Sequence, residues 1–311
     1  MRIGIISNSS QIFMPLILEL AKSRFRTGVS LYLGSSKDPN MNSAQIKEIC
    51  SSLAVPVQIE TAKDDLYAWV RDLGLEIIFC AGYSSKIDTD SLTGVTHGSF
   101  NIHFGPLPEF RGPSPVFWQL KKGLSELGLS IHRLTRDIDQ GGVVWKSSIP
   151  NQPFCSYDYV NLVFSQLMVK GVFDILNTIE SKRTLEEHER DDSLAAYYST
   201  PKLEDVVIDW NKMNAGEIID LVKACNSWNS GASTLFNYSE VKLIDVSASS
   251  TKMNRPVGTC LLENSRLYVA CRAGESIEVH YLKLNYGVIP ARFATAYGFQ
   301  SGQKFQNFFA K

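Results

Sequence analysis

The sequence predicts an α/β protein: a Rossmann-like, mostly parallel sheet followed by a smaller C-terminal β-barrel of the open type. Three observations carry this reading. Up to residue 149, short apolar runs suited to strands alternate with stretches of helical period, the pattern of a parallel sheet with crossover helices. Beyond residue 197, strand-like runs follow one another at short spacing, as in a small barrel. The length, 311 residues, fits two domains. The expected boundaries are residues 1–180 for the first domain, 181–198 for a linker and 199–311 for the second.

Taken in order, residues 2–7 are an apolar run suited to a strand buried on both faces. Asn8-Ser9-Ser10 then offers an N-cap to a helix running through Ala21, with Pro15 near its first turn. This strand–helix junction lacks G-x-G-x-x-G, so a dinucleotide cradle is not indicated. Strands are expected at residues 29–33, 55–59 and 75–80, with helices over 43–54 and 64–73 between them. Residues 98–104 and 128–134 alternate as strands, 114–122 form a helix carrying Trp118, and 143–149 form another strand. Ser156 caps a long amphipathic helix to about Ile179. The stretch from Ser181 to Asp192 is charged and linker-like, and His188 within it reads as surface. Strand-like runs recur at residues 241–244, 266–270 and 276–280.

Composition excludes several classes. Lys and Arg total 31 against 32 Asp and Glu, for a net charge of −1, which leaves no global basic field to capture nucleic acid. The six cysteines are scattered without a C-x-x-C pair, which suits reduced thiols better than a disulfide frame or a zinc site. The N-terminus is expected as a strand rather than a signal peptide, and no apolar run is expected to span a bilayer. A soluble, cytoplasmic protein without membrane contact is the expectation.

One stretch concentrates chemistry. In Gly98-Ser99-Phe100-Asn101-Ile102-His103-Phe104 the period of two puts Asn101 and His103 on one face. Gly105-Pro106-Leu107-Pro108 then ends the strand. An amide and an imidazole thus sit at a strand end, where open α/β sheets bind ligands. The second alternating run, Gly128 to Leu134, leads into a glycine-ended loop carrying Asp137 and Asp139. Strands of one parallel sheet end at the same edge, so a carboxylate from this loop is expected to reach Asn101 and His103. The alternative takes Asn101 and His103 as half-exposed strand polars and Asp139 as a turn former.

Asn101-Ile102-His103, Leu107-Pro108, Phe110-Arg111-Gly112, Pro115, Trp118 and Asp139-x-Gly141 together resemble the formyltransferases that use 10-formyltetrahydrofolate. Their signature is Asn-x-His, a Leu-Pro-x-Tyr-Arg-Gly segment and an Asp about thirty-six residues on; here 139 − 103 = 36. The resemblance continues through Thr200-Pro201, Ile208-Asp209-Trp210 and Ala224-Cys225-Asn226-Ser227-Trp228, where the usual Pro-Trp-Pro is replaced by Ser227-Trp228-Asn229. It implies the formyltransferase fold and an N-formyltransferase moving a formyl group from 10-formyltetrahydrofolate to a primary amine. Asn101, His103 and Asp139 would be catalytic: an amide donor for a tetrahedral oxyanion, an imidazole for the proton, and a carboxylate controlling that imidazole. A pterin site is implied along Ala81, Gly82, Tyr83, Ser84 and Ile87, with Gln140 and Gly141; without the resemblance this is a plain strand–helix turn. Pro106, Leu107 and Arg111 would meet the acceptor, although Arg111 could equally cap neighbouring carbonyls. No metal is called for.

The acceptor is expected to be a small amine, an amino-sugar nucleotide, rather than methionyl-tRNA. Family members acting on the tRNA carry a basic insertion in the first domain, whereas Ser35 to Ser43 holds only Lys37. Gly112-Pro113-Ser114-Pro115 also departs from their Gly-Ala-Ala-Pro. A 10-formyltetrahydrofolate hydrolase and a non-catalytic folate binder are the remaining readings, and a homodimer is allowed.

Overall fold

The computed structural model describes residues 1–35, 42–62, 64–225 and 228–309. Lys37, on which part of the acceptor expectation rests, and Asn226 and Ser227 of the C-terminal resemblance lie outside the described residues. Two compact units are present: residues 1–115, 128–149 and 161–198, and residues 116–127, 150–160 and 199–311. The segment 181–198, expected as a linker, belongs to the first unit.

The first sheet contains β1 (Ile3–Ser7), β2 (Val29–Leu33), β3 (Val57–Ile59), β4 (Ile77–Ala81), β5 (Gly98–His103), β6 (Glu126–Arg133) and β7 (Val143–Pro150). Their order is β3-β2-β1-β4-β5-β6-β7. Ladders from β3 through β5 are parallel, and β1, β2 and β4 are buried along their whole length, as apolar runs covered on both faces must be. Helix α1 (Ser10–Lys22) buries Phe13, Leu16, Ile17 and Leu20, the i, i+3, i+4, i+7 stripe of a core-facing helix. Helices α2 (Ser43–Ser52) and α3 (Asp65–Asp72) follow β2 and β3. The strand order reverses between β1 and β4, which makes their C-terminal ends the switch point where such sheets bind ligands.

One expectation is corrected here. β6 runs antiparallel to β5, with Asn101 opposite His132 and His103 opposite Ser130. The reason lies in the connection. Helix α4 (Pro115–Lys121) has 7 residues, about 10 Å of rise, against roughly 20 Å for a six-residue strand. It is too short to carry the chain back across the sheet, so the next strand starts where β5 stopped. The Asp139 loop therefore leaves β6 at the opposite edge from the one expected, with the Leu134 N–H on the Ser99 carbonyl at 2.8 Å. It must fold back over the sheet face to bring Asp139 to β5.

Helix α5 (Tyr157–Glu180) also departs from expectation: by length and composition it is apolar enough to cross a membrane. Here Val160, Phe164, Met168, Val172, Ile175 and Leu176 are buried while Asp158, Gln166 and Lys170 face solvent, an amphipathic core helix.

The second unit carries α6 (Ala215–Cys225) and seven strands: β8 (Ala232–Phe236), β9 (Ser239–Ala248), β10 (Cys260–Glu263), β11 (Arg266–Ala270), β12 (Ser276–Leu284), β13 (Gly287–Pro290) and β14 (Phe305–Gln306). They form an antiparallel sheet ordered β10-β11-β12-β9-β8-β14, with β13 on β12 and a bulge between β12 and β9. Trp210 stacks on Phe305 and sends its indole N–H to Thr234 Oγ1 at 2.9 Å, so the largest buried side chain leaves no orphan donor.

Candidate active site

β5 ends with Asn101 half-buried and His103 6% exposed, side by side as the period of two requires. Opposite them on β6 stand His132 and Ser130, both 1% exposed. Asp139, 6% exposed, completes the cluster. Its Oδ1 lies 3.4 Å from Asn101 Nδ2, 3.4 Å from His132 Nε2 and 3.7 Å from His103 Nδ1. Its Oδ2 accepts the Gly112 N–H at 2.8 Å. Asp137, the rival carboxylate of the same loop, is exposed.

Two backbone carbonyls fix the imidazoles. His103 Nε2 lies 2.6 Å from the Phe110 carbonyl oxygen. A carbonyl only accepts, so the proton sits on Nε2 and the Nδ1 lone pair of the neutral ring faces the Asp139 side. His132 Nδ1 likewise donates to the Arg133 carbonyl at 2.9 Å, which leaves Nε2 to accept from Asn101 Nδ2 at 3.1 Å. That pairing also orients the Asn101 amide, because an amide oxygen placed there would meet a lone pair. The Asn101–Asp139 contact at 3.4 Å is longer than an ordinary N–H···O bond, so this is the amide hydrogen least tied down.

Tight turns make the arrangement possible. Ser130 Oγ donates to the Gly105 carbonyl at 2.9 Å and accepts the Leu107 N–H at 3.2 Å, pinning the Gly105–Pro108 turn to β6. A Cβ at Gly105 would stand 2.9 Å from both His103 Nε2 and the Phe110 oxygen, so only glycine admits this close packing. Asp139 itself adopts φ +56°, a left-handed conformation that aspartate tolerates better than most residues.

The electrostatics follow from burial and these partners. Burial alone would push the Asp139 carboxyl up, but the adjoining His132 and His103 rings and the Gly112 N–H outweigh it and hold it at about 2. The Gly112 N–H acts whatever the charge of the rings, so an ionised Asp139 at neutral pH is secure. Burial pushes the His103 imidazole below its ordinary value, opposed in part by Asp139 and the Phe110 carbonyl. The cluster at neutral pH is thus a carboxylate beside a neutral His103.

Around this centre, Ala81 pairs with Ile102 across the β4–β5 ladder. Asn8 Nδ2 donates to Ser84 Oγ at 2.7 Å and to the Ser35 carbonyl at 3.1 Å. Glu60 takes the Tyr83 hydroxyl at 2.5 Å and the Ser35 N–H at 2.7 Å. The ends of β1 to β4 are tied into one rim, with Gly82 turning at φ +62°. Ile87 belongs to one buried apolar cluster with Ile6, Tyr32 and Leu66 and borders a cavity of about 540 Å³ with Tyr67, Lys86 and Arg136. Gln140 and Gly141 follow Asp139, and their carbonyls take Arg190 Nη1 at 2.7 and 3.1 Å. Arg111 is not free: its Nη2 pairs with Asp192 at 2.9 Å, while its buried Nε has no hydrogen-bond partner among the described residues. Pro106 and Leu107 are half-buried in the pinned turn.

The structure thus brings Asn101, His103 and Asp139 together, keeps the Ala81–Ser84 turn on the neighbouring strand, and places Arg111 in an ion pair. Sequence reasoning passed over His132, the Gly112 N–H and the Phe110 carbonyl. The polar alternation Ser130, His132 was visible in the β6 run, but its register on Asn101 depends on strand direction. The two backbone groups leave no trace in side-chain identity.

Comparison with known proteins identifies the family. A model of the formyl transferase family matches residues 1–162, and one of the formyl transferase C-terminal domain matches residues 202–289. A methionyl-tRNA formyltransferase of Thermotoga sp. is 26% identical over 241 residues, covering 77% of this chain and 76% of its own. The bifunctional polymyxin resistance protein ArnA of Wigglesworthia glossinidia brevipalpis is 29% identical over 214 residues, 68% of this chain and 32% of its own. In fold, the chain resembles WlaRD, a sugar 3N-formyl transferase solved with dTDP and 5-N-formyl-THF, with a TM-score of 0.69 and 15% identity over 90% of this chain and 97% of that one. It also resembles HypX of Aquifex aeolicus in complex with tetrahydrofolic acid, with a TM-score of 0.65 and 17% identity over 96% of this chain and 47% of that one. By its sequence match over both parts, this chain belongs to the formyltransferase family.

Proposed function

We propose that the protein transfers the formyl group of 10-formyltetrahydrofolate to a primary amine, with Asn101, His103 and Asp139 as its catalytic residues. The observation that carries this is the convergence of Asn101 Nδ2 and His103 Nδ1 on Asp139 Oδ1, at 3.4 and 3.7 Å. The amine attacks the formyl carbon, and the carbonyl oxygen becomes an oxyanion. Asn101 turns its loosely held amide hydrogen from Asp139 to that oxygen, a contribution of about 2.7–4 kcal/mol for such a donor. Neutral His103, its tautomer fixed by the Phe110 carbonyl, takes the amine's proton on Nδ1. Asp139 stabilises the imidazolium that results. The N–C bond to tetrahydrofolate then breaks, and the proton passes to the leaving nitrogen. The turn from Ala81 to Ser84, Ile87 with its bordering cavity, and the loop at Gln140 and Gly141 are the proposed folate contacts. WlaRD was solved with a formylated folate, which supports the donor.

For the acceptor we favour a small amine, an amino-sugar nucleotide. The near-balance of 31 basic and 32 acidic residues supports it, since gripping tRNA means neutralising several phosphates. Arg111, Pro106 and Leu107 are the proposed acceptor contacts, the guanidinium suiting an anionic group. A second reading, formylation of methionyl-tRNA, is favoured by sequence relatives that carry that name. The test is turnover of 10-formyltetrahydrofolate with amino-sugar nucleotides and with charged initiator tRNA across a salt series. Formylation of the sugar with weak salt dependence is expected. Tight tRNA binding that falls steeply with salt, followed by its formylation, overturns the small-amine reading. Donor breakdown without any amine points to a hydrolase.

A further inference from the structure

We infer that Arg190, in the charged stretch before residue 198, is a positioning residue for the Asp139 carboxylate. This rests on the catalytic reading of Asp139 above.

Asp139 is held from two sides. On one side its own loop turns at φ +56°, a conformation that survives only where the surroundings enforce it. The next two carbonyls, of Gln140 and Gly141, both take Arg190 Nη1, and Gly141 is buried. A partly buried carbonyl that loses its donor is destabilising, so these two bonds fix the backbone that presents Asp139. On the other side, Gly112 N–H holds Oδ2. Gly112 follows Arg111, whose guanidinium pairs with Asp192.

Asp192 joins the two sides. Its Oδ1 lies 2.9 Å from Arg190 Nε and 2.9 Å from Arg111 Nη2, and its Oδ2 is 3.1 Å from Arg190 Nη2. The Arg190–Asp192 contact is the two-bond fork that arginine, and not lysine, can make. The backbone of the same segment reinforces the link: Arg111 N–H donates to the Ala196 carbonyl at 3.0 Å, and Tyr198 N–H to the Arg111 carbonyl at 2.9 Å. One short stretch thereby clamps both the loop that carries Asp139 and the loop that supplies its N–H donor.

Arg190→Ala is expected to lower kcat about tenfold to hundredfold, the loss that a shift of roughly 1 Å produces at a reacting centre, with KM for both substrates within about twofold. Arg190→Lys restores at most a small part, because a single ammonium nitrogen cannot span the carbonyls met by Nη1 and the carboxylate met by Nε and Nη2. In an Asp139→Asn background, Arg190→Ala should cost little more, since the group it positions is already gone. Asp192→Asn, which keeps side-chain size, serves if Arg190→Ala does not fold, and it should reproduce the kcat loss. The inference is overturned if kcat is unchanged, if Lys restores full rate, or if the Arg190→Ala and Asp139→Asn losses multiply independently. Asp139→Asn alone tells the two readings apart. If it is harmless, the catalytic reading fails. If it is damaging while Arg190→Ala is silent, only the positioning role fails.

Discussion

Replacing Asp139 with Asn is the most informative single change, because it alters charge and little else. The asparagine can still accept the Gly112 N–H that now binds Oδ2 at 2.8 Å, so the loop should keep its place. The change removes a full negative charge 3.7 Å from His103 Nδ1. Unscreened by neighbours, such a pair is worth roughly 4 kcal/mol at an effective dielectric near 20. Gly112 and Asn101 already draw on the same carboxylate, which weakens its hold on the ring, and its loss lowers the ring's pKa further. His103 must be neutral to accept the amine's proton, and activity falls as pH drops through its pKa. Burial already lowers that pKa, and Asp139 partly raises it again. Without Asp139 the ring titrates lower still, so the acidic limb of the kcat profile moves to lower pH. The plateau should fall by about 10²–10³, because the imidazolium forms without its counter-charge. The assay is release of tetrahydrofolate with a productive amine from pH 5 to 9. An acidic limb that stays put or moves up, or an unchanged plateau, refutes the assignment. So does an Asp137→Asn variant more damaged than Asp139→Asn.

Asn101→Ala should leave folate binding nearly intact and lower turnover about 10²–10³-fold; the check is kcat beside a donor binding titration. Gly112→Ala should destabilise by about 2–4 kcal/mol, because Gly112 sits at φ +111° and a Cβ there would overlap the Tyr198 carbonyl; the check is the urea midpoint at constant slope. Acid should weaken the fold through Asp139. Its folded pKa is lowered from 3.8 to about 2 by partners that outweigh burial. It therefore contributes about 2 kcal/mol above pH 4, lost as pH falls towards 2. Wild type and Asp139→Asn should therefore converge in stability between pH 5 and pH 2, as followed by urea denaturation. His103, also lowered, adds a loss of the same sign as pH falls below its unfolded value of 6.5.

The sequence by itself determined the alternation of strand and helix in the first half and the placing of Asn101 beside His103 on one face. Each of these is local: periods of 2 and 3.6 and the stops at Gly105–Pro108 are written in neighbouring residues. The strands at Val29–Leu33 and Arg266–Ala270 are found where the periodicity put them. Only the tertiary structure decided the direction of β6, because pairing direction depends on the reach of α4 rather than on any residue of the strand. That direction brings His132 opposite Asn101 and obliges the Asp139 loop to fold back. Tertiary structure also turned a stretch legible only as charged linker into partners for the Asp139 loop, through Arg190 and Asp192. It supplied the Gly112 N–H and the Phe110 carbonyl as well. Backbone donors and acceptors are the same at every position of a chain, so their roles emerge only when folding brings them to a side chain.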